Sequence, residues 1–198
     1  MLKPISLLAV LAACWAAISA VVAGEKDAGQ TIRPYVSFTG ADSHIKQPGY
    51  HRIVSEAEWL ALWQKHKGAK ESSDYSLFYN PLGLPHVDFD QCMVIALCQG
   101  AGYNSAGVEA VSVTEEKDRI VFRFNSKSYQ TVGPPVVGSV PGTLTMEDGG
   151  GQAVAVYGFF VLPRSTKAVI LQENVQRTKA GPPEWQERAS FGKLGNTQ

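Results

Sequence analysis

The chain has 198 residues, enough for one globular domain with a substantial core and no need of staples. Eighteen basic residues balance eighteen acidic ones, so the formal net charge is zero. That balance, with no run of Lys and Arg, excludes a nucleic-acid footprint, and 10% aromatics exclude disorder by composition.

The N-terminus carries Lys3, then an apolar stretch over residues 5–23, then small residues before Gly24. This is the pattern of a secretory leader, so residues 1–23 read as a signal peptide, with the mature protein periplasmic or extracellular. A second reading takes "LAAC" as a lipoprotein signal with Cys14 as the anchored residue. The continued apolar run after Cys14 ranks simple cleavage first. No membrane span is expected in the mature chain.

Residues 24–47 read as a polar N-terminal segment with one short strand, "PYVSFTG". "GYHRIVS" then opens a single domain over residues 48–176. "SEAEWLALWQKHKG" is the strongest local signal. Ser55 followed three residues later by Glu58 forms a capping box. Glu56 and Glu58 suit the positive end of a helix dipole, and Lys65, His66 and Lys67 suit the negative end. Gly68 fits the left-handed position after the last turn. Trp59, Leu62, Trp63 and His66 share one face, which must lie on something apolar. The two tryptophans could also stack on a ligand, but their helical spacing favours the core.

"PHVDFDQCMVIALCQG" offers His86, Asp88, Asp90 and Cys92 in alternation. Histidine and carboxylates can hold a divalent metal. Alternate positions on a strand are about 6–7 Å apart, however, so one small ion reaches only a neighbouring pair. The simpler reading makes Asp88 and Asp90 turn residues, with Val87 and Phe89 beginning to pack inward. Residues 93–97 are all apolar, as in a central strand covered on both faces. Cys92 and Cys98 would point to the same side of that strand, about 20 Å apart, too far for a disulfide. A nucleophilic role would need an activating base and an exposed thiolate, and the apolar setting argues against both.

"GVEAVSV" and "DRIVFRF" read as a hairpin, with Ile120, Phe122 and Phe124 on one face. "AVAVYGFFVL" and "KAVILQENV", flanking "PRST", read as a second. Between the pairs, residues 132–152 are rich in Gly and Pro and read as a long loop; such loops are usually functional or disordered. Residues 177–198 read as a polar tail in which Trp185 either docks on the domain or is offered to a partner.

The expected fold is therefore α+β: a mainly antiparallel sheet of about six strands with one amphipathic helix packed on one face. "SEAEWLALWQKH", "PHVDFDQCMVIALCQG" and "YGFFVLPRST" together resemble the PrcB C-terminal domain, an accessory subunit of exported bacterial protease complexes. The resemblance spans residues 50–175. It implies a protein-interaction role without catalysis and brings no catalytic residues. "GAGYNSAGVEAV" and the segment 132–152 are both longer than that pattern.

Three function classes follow. The first is an exported noncatalytic module with a protein partner, no cofactor and no metal. The second is a metal- or small-molecule-binding domain using His86, Asp88 and Asp90. The third is a cysteine-dependent enzyme. No Gly-x-Ser-x-Gly, His-Glu-x-x-His or phosphate-cradling loop is present.

Overall fold

A computed structural model describes residues 29–69, 80–129, 132–137, 144–148, 151–176 and 181–195; at 132–137 and 144–148 it describes the backbone alone. The leader at residues 1–23, with Cys14, lies outside the described residues. The elements in chain order are β1 (Gln30–Ile32), β2 (Val36–Gly40), β3 (Gly49–Ile53), α1 (Glu56–Lys67), β4 (Cys92–Tyr103), β5 (Ser105–Glu115) and β6 (Arg119–Ser128). They continue with β7 (Val132–Val137), β8 (Leu144–Asp148), β9 (Ala153–Pro163), β10 (Ala168–Asn174) and β11 (Trp185–Phe191). The described residues are mostly sheet with one short helix.

The single sheet of about six strands is corrected. The strands form a five-stranded sheet, β1-β5-β6-β10-β11, a four-stranded sheet, β2-β9-β4-β3, and a separate pair, β7-β8. Every pairing between these strands is antiparallel except β6 with β10, and an isolated bridge of Asp42 with Ala155 is also parallel.

Strand β4 explains the layering. Met93, Ile95 and Leu97 point between the sheets and join Ile120, Phe122, Phe124, Phe160, Val169 and Leu171 in one core. Val94, Ala96 and Cys98 point the other way, into a second core with Trp59, Leu62, Trp63 and Phe159. An apolar run with period 2 on both faces can be satisfied only inside a sheet sandwiched between two layers. The order is thus helix, four-stranded sheet, five-stranded sheet.

The helix forms as its local sequence dictates. Ser55 Oγ accepts from Glu58 N, and Glu58 Oε2 accepts in turn from Val54 N at 3.1 Å. Gly68 closes it with φ 64°, a backbone conformation that costs glycine nothing. A second positive φ is required at Gly100, where β4 bulges against β9 and an added Cβ would meet Lys46 O at 2.8 Å.

Three further expectations are revised. "PRST" does not turn a hairpin. Both edges of β9 are already taken by β2 and β4, so the chain crosses to the other sheet, where β10 pairs with β6 and β11. The segment read as a loop at 132–152 holds the β7-β8 hairpin. Its prolines mask the strand pattern, and the ladder is irregular where they fall, between Val132 and Pro135. The ends of the chain also enter the sheets: β1 precedes the one strand expected in residues 24–47, and β11 lies in the segment read as a tail. Each is an edge strand, which needs apolar residues on one face only.

Candidate functional site

The stretch 86–92 is the polar entry to β4. Asp88 Oδ1 accepts from Asp90 N at 3.0 Å, and the Asp88 carbonyl accepts from Cys92 N at 2.8 Å. His86, Asp88 and Asp90 are exposed, whereas Val87 and Phe89 pack against the helix-side core. Among the described residues, no three His, Cys, Asp or Glu side chains converge as a metal site would need.

Cys98 is fully buried, and burial pushes its thiol up to about 11. Cys92 is half-buried; burial, then the Asp88 charge, raises its thiol as well. Neither setting favours the thiolate that a nucleophile needs. Alkylation at neutral pH without denaturant, followed by peptide mapping, should leave Cys98 unlabelled and Cys92 slow. Rapid labelling of Cys98 would contradict its burial.

The tryptophans of the helix are core. Trp59 donates from Nε1 to Pro85 O and Trp63 to Leu82 O, each at 2.9 Å, which ties the 80–91 connection to the helix. Trp185 docks: it is half-buried in β11, with the Arg123 guanidinium 5.2 Å from its ring centroid.

His66, the last residue of the helix stripe, is 3% exposed. Its Nδ1 lies 3.1 Å from Ser43 Oγ, and its ring lies 4.3 Å from that of Tyr157. Burial first, then Lys67, lowers its pKa to about 4, while Asp42 pulls weakly the other way and His44 adds to the lowering. An unfolded histidine takes its proton near pH 6.5, about two units or more higher. The folded form therefore resists protonation, so its contribution is complete above pH 6.5 and is lost as pH falls toward 4. Across that window the effect amounts to about 2–3 kcal/mol. Urea midpoints of the wild type and His66→Gln at pH 7 and pH 4.5 should show this extra acid loss in the wild type alone. Equal losses in both proteins would remove His66 as the cause.

Two arginines that look in the sequence like ordinary strand and turn residues form a clasp. Arg52 donates from Nη1 to Lys167 O at 2.9 Å and Gly192 O at 3.1 Å, and from Nη2 to Ser165 O. Arg164 donates from Nη1 to Val54 O and Phe89 O, and its backbone N–H donates to Gln91 O at 2.8 Å. Burial, then the Arg164 charge, lowers the Arg52 pKa. The pair fixes the crossover between the sheets. The only sequence sign of it is an arginine inside the apolar-flanked "GYHRIV".

The most specific construction surrounds the β7-β8 hairpin. Asn104 is the one described non-glycine residue with positive φ, at 51°. Asparagine tolerates this conformation better than most side chains. Its N–H donates to Gln152 O at 3.1 Å, its Oδ1 accepts from Gln152 N at 2.8 Å, and its carbonyl accepts from Tyr129 N at 2.9 Å. Tyr129 Oη donates to Gln152 Oε1 at 2.9 Å, closing the ring of contacts. Tyr129 and Gln152 are the two ends of the hairpin segment. Asn104 thus knots its root to the sandwich, while among the described residues the hairpin itself pairs with neither main sheet. Tyr103, beside the knot, is 71% exposed. Sequence reading marked the segment but not the knot, because Asn104, Tyr129 and Gln152 are distant in the chain.

Compared with protein-family models, curated proteins and solved structures, the chain finds no match.

Proposed function

We propose that this chain is an exported, noncatalytic module that binds another protein through the β7-β8 hairpin. The observation that carries the reading is the hairpin's placement: knotted at its root by Asn104, yet paired only with itself among the described residues. A two-stranded hairpin alone is marginally stable in water and gains from a third strand or a packed face. A segment of that kind, held rigidly at its base and left without a neighbouring strand, suits a partner that completes it. The resemblance to the PrcB C-terminal domain gives this reading its narrower form, an accessory role beside an exported protease. The leader pattern at residues 1–23 agrees with export. No described helix is long and apolar enough to cross a membrane.

The test replaces residues 133–149 by a short Gly-rich turn and keeps Tyr129, Asn104 and Gln152. Both proteins are expressed in the native host and chemically crosslinked there. The shortened protein should keep its thermal midpoint within about 2 °C, since among the described residues the hairpin shares no ladder with either main sheet. It should lose the crosslinked protein that the full chain captures. Undiminished capture, or no capture by the full chain, refutes the proposal.

A further inference from the structure

We propose that β2 is a docking edge for a second copy of this chain. The two main sheets have four edge strands: β1 and β11 in one, β2 and β3 in the other. Natural sheets protect such edges with charge, proline, bulges or brevity. Strand β1 has three residues. Strand β11 carries Glu187 and Arg188, and β3 carries His51 and Arg52 beside Glu58 and Lys65 of the helix. Strand β2, "VSFTG", has none of these devices. It has no charge and no proline, and its register with β9 runs unbroken from Val36 to Gly40.

This unguarded edge is also exposed. Val36, Ser37 and Thr39 are all exposed; Val36 is at 45%, and Tyr35 just before it is at 64%. Phe38 alone turns inward, edge-on to Trp63. The far end is closed by the approach of Gly107 to Gly40, so the open row of backbone groups lies over residues 36–39. Beside it runs a groove of about 280 Å³ with Val108 and Phe160 in its lining and Ser37 and Thr39 along one wall.

A second copy fits this surface better than a charged partner. Two identical uncharged strands run antiparallel across a two-fold axis and join the four-stranded sheets into one continuous sheet. The groove also carries Glu109 and Lys127, paired at 3.3 Å. A lining with one charge of each sign is complementary to itself when a two-fold axis reverses it. Without residues 1–23 and their Lys3, 17 basic residues face 18 acidic ones, a formal net charge of −1 that leaves little long-range repulsion between copies. An interface of one short strand pair is small, which places its dissociation constant at about 10–100 μM.

Sedimentation equilibrium of the mature chain from about 1 to 200 μM tests this range. A monomer–dimer equilibrium is expected. Val36→Lys/Thr39→Lys, which alters exposed side chains only, should weaken it at least about tenfold with the thermal midpoint retained. The hairpin-shortened protein should dimerise like the wild type. A wild type monomeric throughout, or a dimer indifferent to the two lysines, overturns the proposal. So does a dimer lost with the hairpin, which would place the contact there instead.

Discussion

Trp63→Ala is expected to lower stability by about 3–5 kcal/mol, the range for removing a large buried aromatic. Trp63 is 6% exposed and sits at the centre of the helix-side core. Its ring meets those of Phe38, Trp59, His66 and Phe159, with centroids 5.1–6.1 Å apart. Truncation leaves a cavity between the helix and the four-stranded sheet. It also strands the Leu82 carbonyl, which accepts from Trp63 Nε1. Trp63→Phe separates these effects: it fills most of the space but restores no donor, and should cost roughly half as much. Denaturation midpoints at constant slope measure both. A midpoint unchanged by Trp63→Ala would place the ring on the surface.

Arg52→Met is the second large effect, expected at about 3 kcal/mol. Methionine keeps the apolar stem and removes the guanidinium fork. Three carbonyls, of Ser165, Lys167 and Gly192, then lose charge-assisted donors, each worth about 1.5–3 kcal/mol when lost without compensation. The total stays below their sum, because water reaches the partly exposed site and the charged group no longer has to be desolvated beside Arg164. Arg52→Lys should recover little, since an ammonium cannot span three carbonyls in the planar geometry of the fork. Full recovery by lysine would show that charge, not the fork, holds the crossover. Hydrogen exchange adds a local readout: the amides of residues 164–168 should lose protection before those of β4.

Much of the helix layer was legible in the sequence. Ser55, Glu58 and Gly68 set its ends by contacts within a few residues, and the stripe of Trp59, Leu62, Trp63 and His66 set its buried face. The two-sided burial of β4 was legible too, because a short apolar run with both alternating sets apolar fits a covered strand. The turn at Asp88 and Asp90 followed from aspartate's habit of accepting from nearby backbone N–H groups. Each of these is signalled by residues close together in the chain.

What only the tertiary structure decided depends on which strand edges remain free. The pattern of "AVAVYGFFVLPRSTKAVILQENV" fits a hairpin and a crossover equally. The choice was made by β2 and β4, which occupy both edges of β9 and send β10 to the other sheet. The β7-β8 pairing was hidden by prolines that only the bulged ladder accommodates. The polar β11 counted as strand only once β10 offered it an edge. The Arg52 clasp and the Asn104 knot join residues tens of positions apart, so no local period reports them. Periodicity determines what a segment can bury, whereas edge pairing is settled by competition among all strands at once.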